Sequence, residues 1–171
     1  MFFKVIKSNF NFKNFKPVLK VDKTKGITFY TLENVIARLQ RGNKLAFISI
    51  PTNSEVVHYN KKSKADRIMV EKVINIEDWE MWNDEKFCLD AIEKSVYNFK
   101  FIKNQTEVIC TKAIEKDAWA LIFVKNQTEA LCLLAVTKNF LLLQIVKNKT
   151  DEICKIAIKQ NVFAKNFIRS Y

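Results

Sequence analysis

The chain is poor in the residues that most catalytic motifs require. It has one histidine, His58, and only two glycines and two prolines among 171 residues. Gly26 and Gly42 stand apart, so no Gly-rich phosphate loop or dinucleotide-binding turn can form, and no GxSxG or HExxH pattern occurs. His58 has no nucleophile or metal-ligand motif beside it, which leaves it a structural or solvent-facing role. An enzyme is therefore not expected. Long apolar runs are missing too. The stretch 140–146 is apolar but far shorter than the roughly 18–20 residues needed to cross a bilayer. The opening Met1-Phe2-Phe3-Lys4-Val5-Ile6-Lys7 is broken by lysines and does not read as a secretory signal. The expected setting is a reducing compartment, where the four cysteines stay free thiols.

What is present is apolar residues, at 49%, and positive charge, at +11. The apolar fraction is enough for a buried core. Residues 1–80 hold 15 Lys/Arg against 8 Asp/Glu, a balance of +7, and residues 81–171 hold 14 against 10, a balance of +4. Such an excess favours anionic partners, nucleic acid or an acidic protein face. Its plainer role is to keep a lysine-rich surface solvated.

The cysteines fall at one interval: Cys88, Cys110, Cys132 and Cys154 stand 22 residues apart. Ala91, Ala113, Ala135 and Ala157 follow each, then Ile92, Ile114, Val136 and Ile158. Lys103-Asn104-Gln105-Thr106-Glu107 recurs as Lys125-Asn126-Gln127-Thr128-Glu129 and nearly so as Lys147-Asn148-Lys149-Thr150-Asp151. A fixed period of about 20–50 residues marks a stacked repeat array. With copies starting at 81, 103, 125 and 147, Asp84, Thr106, Thr128 and Thr150 become helix N-caps. Glu85, Glu107, Glu129 and Asp151 then sit at the positive end of each helix dipole. Phe87, Cys88, Ala91 and Ile92, with their equivalents, form the buried stripe. Ser95, Asp117, Asn139 and Asn161 turn the chain, and second apolar blocks follow at 97–102, 119–124 and 141–146. A unit of 22 residues has room for a helix of about three turns and another of about two. Residues 81–171 are thus expected to form an α-helical solenoid of about four helix-pair repeats. Lys165, where earlier copies have Phe99, Leu121 and Leu143, and Asn166, where one has Ile122, read as a polar end cap.

Two chemical readings of the repeats fail on spacing and setting. Zinc sites need close cysteine pairs, whereas a 22-residue ladder puts the thiols in successive layers of a core. Asn104-Gln105-Thr106, Asn126-Gln127-Thr128 and Asn148-Lys149-Thr150 match a glycosylation sequon, but without a secretory route the threonines are caps.

Residues 1–80 read as an α+β module with a small antiparallel sheet. Strand composition appears at 2–6, 27–30 and 44–50, with further strands or edges at 56–59 and 68–76. Thr31 would cap a helix whose apolar face includes Val35 and Leu39 and whose C′ residue is Gly42. The boundary falls at 77–82, with Trp79 and Trp82 packing the junction. Lysines alternate with phenylalanines through residues 2–25, a pattern that suits phosphates and bases, or else a strand with a solvated lysine face. A second basic cluster, Lys61, Lys62, Lys64 and Arg67, reads as a loop or turn.

The units built on Lys-Asn-Gln-Thr-Glu-x-x-Cys, with the following Ala-Ile/Val and second apolar stretch, resemble short helical repeats abundant in giant DNA viruses of amoebae (mimivirus- and marseillevirus-like) and in some intracellular bacteria. Residues 1–80 are similar to the small N-terminal module of many giant-virus repeat proteins. The matching stretches are Ile27-Thr28-Phe29-Tyr30-Thr31-Leu32-Glu33-Asn34-Val35, Ile48-Ser49-Ile50-Pro51 and Lys64-Ala65-Asp66-Arg67-Ile68. That family carries no catalytic residues and no cofactor to transfer. The resemblance implies a viral protein of the host cytoplasm (viral factory) or of the virion, and the lysine-broken start adds the expectation that it is not secreted.

The expected function is a non-enzymatic viral interaction and structural repeat protein, acting in virus–host contact. Its expected partner is a viral or host protein, or a second copy of itself, with no membrane and no cofactor involved. The expected contact surface is the outward side of the first helix of each repeat, including Lys112, Glu115, Lys116, Lys138, Lys155 and Lys159. The alternative is nucleic-acid binding, for packaging or host interference, through Lys4, Lys7, Lys13, Lys16, Lys61, Lys62, Lys64 and Arg67 if one face gathers them.

Overall fold

The computed structural model describes residues 1–7 and 26–168. The chain divides into two compact units, Met1–Glu80 and Met81–Tyr171. The first carries β1 (Phe2–Ile6), β2 (Ile27–Phe29), β3 (Lys44–Ser49), β4 (Val56–Tyr59), β5 (Lys62–Ala65) and β6 (Met69–Asn75). These form two three-stranded antiparallel sheets, ordered β1-β3-β6 and β2-β5-β4. Ile6, Phe29, Ala46, Ile48 and Ala65, contributed by both sheets, make one buried cluster. Phe3 and Tyr30 link β1 to the end of β2 by a reciprocal pair of backbone bonds of 2.8 and 2.9 Å.

The expected fold class is overturned in both halves. The first unit does not hold one small sheet. Strands of two sheets alternate along the chain and are interspersed with helical pieces: α1 (Leu32–Ile36) and the 3-10 segments Leu39–Arg41 and Ile76–Asp78. The chain is mixed α/β, and the second unit is not a solenoid of helix pairs. Each repeat has one α-helix, α2 (Glu85–Lys94), α3 (Glu107–Lys116), α4 (Glu129–Lys138) and α5 (Asp151–Gln160). The second apolar block folds instead as a 3-10 segment: Val96–Phe101, Ala118–Phe123, Phe140–Gln144 and Val162–Phe167. The reason is length. Each α-helix takes 10 of the 22 residues and ends on an extended residue such as Ser95 (φ −164°, ψ 119°). The few residues left before the next cap cover more distance at about 2.0 Å per residue in a 3-10 turn than at about 1.5 Å in an α-helix. Bonds over three residues hold these segments, as from Ala120 N–H to Asp117 O (2.9 Å) and Leu142 N–H to Asn139 O (3.0 Å). The Asp117, Asn139 and Asn161 side chains accept the N–H of Trp119, Leu141 and Phe163 at 2.9–3.0 Å.

Three local expectations change as well. The cluster Lys61–Arg67 is not a loop, because Lys62–Ala65 is the middle strand of the second sheet, bonded to β2 and β4. Its polar residues hide a strand that backbone pairing on both edges enforces. The helix at Thr31 is a single turn, and Thr31 accepts a bond from Asn34 Nδ2 (3.1 Å) instead of capping the backbone. Gly42 is extended (φ −153°) and is no left-handed C′ residue. Glycine is needed there because a Cβ would run into Ile6 O and Val5 Cγ1. The two tryptophans expected at the boundary both have aromatic neighbours. Trp79 lies against Phe3 and Phe47, at centroid distances of 5.8 and 6.3 Å. Trp82 stacks on Phe101 at 5.7 Å and meets the edge of Phe87 at 5.3 Å.

Candidate interaction face

The repeated Lys-Asn-Gln-Thr-Glu motif is a set of rungs between consecutive units. Lys125 Nζ donates to Lys103 O (2.8 Å), and Lys147 Nζ to Lys125 O (3.1 Å). Gln105 Oε1 accepts Lys125 N–H, and Gln127 Oε1 accepts Lys147 N–H, both at 2.9 Å. Thr106 donates to Glu85 (2.8 Å) and Thr150 to Glu129, while each threonine accepts a backbone N–H of its own helix at 3.4 Å. The motif therefore fixes the fold and is occupied in doing so. The thiols are part of the same layers. Cys88, Cys110 and Cys132 are buried and Cys154 is half-buried. Burial, helped by Asp84 and Glu85, pushes the Cys88 thiol up to about 11.

Several residues of the expected lysine surface are engaged within the unit. Lys112 and Lys116 both pair with Glu93, at 3.2 and 3.0 Å, and their hydrogen bonds hold its carboxyl below the usual range. Lys138 donates to Glu115 O (3.2 Å), closing the end of the preceding helix, a place that Gln160 takes on α4 through Val136 O and Thr137 O. The Glu115 carboxylate, Lys155 and Lys159 are exposed.

The exposed apolar residues of this unit lie mostly elsewhere, on the 3-10 segments. Side chains three apart eclipse in a 3-10 turn. One line of each segment points inward, as in Phe99 with Ile102 and Leu121 with Val124, all 3% exposed or less. Another line points out: Tyr97, Trp119 with Ile122, Leu141, and Phe163. Tyr97, Trp119, Leu141 and Phe163 occupy one position of the 22-residue unit and are 59, 46, 37 and 67% exposed. A groove of about 350 Å³ opens between Tyr97, Trp119, Ile122 and Phe123. Consecutive 3-10 segments touch along the unit, so these side chains form a row. The sequence carried the signal as an aromatic or aliphatic residue at every 22nd place, but an apolar block read as an α-helix gives no reason to expose it.

No protein-family model, curated protein or solved structure matches the chain.

The basic residues of the first unit are not presented alike. Lys4 is half-buried, donates to Thr28 O (2.9 Å), and is pushed down by burial. Lys64 is 5% exposed. Arg67 pairs with Asp66 at 2.9 Å. Burial raises the Asp66 carboxyl, but the bonds and charge of Arg67 outweigh it and hold that group low. Lys7, Lys61 and Lys62 are exposed, Lys62 lying 5.8 Å over the Tyr59 ring. Lys13 and Lys16 lie outside the described residues.

Proposed function

We propose that the chain is a protein-binding module whose 3-10 segments receive an amphipathic helix of a partner protein. The observation that carries this reading is the exposed row Tyr97, Trp119, Leu141 and Phe163, repeated once per unit. Large exposed apolar residues in a contiguous row mark interaction sites, and aromatic side chains supply most of the energy at such sites. Spacing favours a helix as the occupant. Packed segments sit about 8–10 Å apart, and residues i and i+7 of a helix are separated by about 10.5 Å. One apolar residue in seven on the partner would meet each row residue in turn. Following the resemblance to giant-virus repeat proteins, the partner is a viral or host protein met in the infected cytoplasm or the particle.

The test is selection of random peptides displayed against the immobilised chain, with Trp119→Glu as the comparison. The reading expects enriched sequences with apolar residues at i, i+3, i+4 and i+7, and binding at least about tenfold weaker to Trp119→Glu. Recovered peptides that bind the variant equally well would refute it. A second reading, nucleic-acid binding, draws on exposed Lys7, Lys61 and Lys62, and is tested by salt titration as argued below.

A further inference from the structure

The apolar row has a border of one sign. Residues 95–105, 117–127, 139–149 and 161–168, the 3-10 segments with their flanking turns, hold six lysines: Lys100, Lys103, Lys125, Lys147, Lys149 and Lys165. Against them stands one carboxylate, Asp117, which is half-buried and accepts the N–H of Trp119 (3.0 Å). Every other Asp and Glu of residues 81–171 caps an α-helix or lies within one. The rungs hold part of this border beside the aromatic groove. Gln105 Nε2 donates to Phe123 O (2.9 Å), and Phe123 lines that groove with Trp119. The turn 103–105 therefore lies against the end of the second 3-10 segment. Lys125 and Lys147 each give one bond to a carbonyl. An ammonium has three donors, so each keeps its charge and two further donors. Lys100, Lys125, Lys147 and Lys165 are exposed and form no ion pair among the described residues.

Resting on the partner-helix reading, we infer that the helix received by the row is acidic along the flank that meets these lysines. Tyr97, Trp119 and Leu141 each stand six places before a lysine: Lys103, Lys125 and Lys147. At about 2.0 Å per residue the apolar row and the lysine row run roughly 12 Å apart. An α-helix with its side chains is about 10–12 Å across. A helix seated on the apolar row thus brings one flank to the lysines. Charges at an interface rim decide the choice of partner and the rate of encounter more than they decide affinity. Many amphipathic helices fit an apolar row. The lysines favour those with carboxylates on one flank, and like charge turns basic ones away.

The random-peptide library, selected on the full chain at about 50 mM salt, tests this. The wild type is expected to enrich apolar heptads with Asp or Glu confined to one flank. Lys125→Glu with Lys147→Glu is expected to turn that flank to Lys or Arg. Those two lysines also bond carbonyls, so Lys100→Glu with Lys165→Glu, which hold no carbonyl, gives a second variant expected to weaken the acidic bias. Circular dichroism checks that both keep their helices. One peptide enriched on the wild type is then remade with Asn and Gln for its Asp and Glu. In fluorescence anisotropy it is expected to bind about fivefold more weakly at about 50 mM salt, with the gap closing by about 500 mM. Apolar heptads without an acidic flank, an amide peptide that binds as tightly, or a bias that survives in both variants overturns the inference and leaves the partner-helix reading standing. Peptides indifferent to Trp119→Glu remove both. A single-stranded oligonucleotide that displaces the acidic peptide and loses its own binding in Trp119→Glu gives the row to nucleic acid and also overturns the inference.

Discussion

Gln127 joins consecutive units through a single amide. Its Nε2 donates to Leu121 O and Ile145 O at 3.3 Å, and its Oε1 accepts Lys147 N–H at 2.9 Å. Alanine there leaves three backbone groups to find water in a part-buried place, a loss of about 1–2 kcal/mol in urea unfolding. Asn126 beside it is exposed, and Asn126→Ala is expected to stay within about 0.5 kcal/mol. Equal losses at the two positions would refute the rung assignment. The thiols give a second residue-level expectation. Burial raises all four, that of Cys88 to about 11, and Cys154 is the one not fully covered. Alkylation of the native chain is expected to show one faster thiol, lost in Cys154→Ser. A folded thiol raised above its unfolded value stabilises the fold below the unfolded pKa and ceases to as pH climbs through the folded one. Cys88 therefore contributes a loss of stability between about pH 9 and 11, which unfolding midpoints across that range would register and Cys88→Ala would blunt. An unchanged alkaline profile in that variant would exclude the thiol as a cause.

The second segment of each unit shows why burial cannot be read from composition. Leu121 and Trp119 are two places apart in one apolar block, yet the first is 0% and the second 46% exposed. The three-fold period of the 3-10 turn separates them. Leu121→Ala is expected to cost about 2–5 kcal/mol, and Trp119→Ser less, about 1–2 kcal/mol, because about half of that side chain is covered. Comparable losses in thermal or urea unfolding would mean that the row belongs to the core. The α-helices were legible in advance because local chemistry fixes their starts: Asp84, Thr106, Thr128 and Thr150 each accept a backbone N–H three residues on. The 3-10 segments were not, since the space left by the preceding helix selects them and an apolar run is compatible with either turn. β5 was hidden for a related reason. Lys62, Ser63 and Lys64 have poor strand composition, and pairing with both β2 and β4 overrides it. Of the candidate site, the charged residues on the helix faces were visible as exposed positions. The aromatic row was not, because its exposure depends on that turn.

For the chain as a whole, +11 is a sum over charges that the fold uses differently. Lys112, Lys116 and Arg67 are paired, Lys125, Lys138 and Lys147 bond carbonyls, and Lys4 and Lys64 are drawn inward. Net charge alone thus overstates what a phosphate backbone would meet. Lys61 and Lys62, where β4 turns into β5, are the adjacent exposed pair in the first unit best placed to be tested. Each can release at most about one counterion, so Lys61→Gln with Lys62→Gln is expected to lower the salt slope of duplex-DNA binding by roughly two if the hairpin touches phosphate. Fluorescence anisotropy with random-sequence duplex, titrated from about 50 to 200 mM salt, measures that slope. With a protein partner as the chain's ligand, the expected result is weak association that collapses across this range and keeps its slope in the double variant. A slope that falls by two would instead place nucleic acid on the hairpin, and would make the basic first unit, ahead of the aromatic row, the surface to pursue.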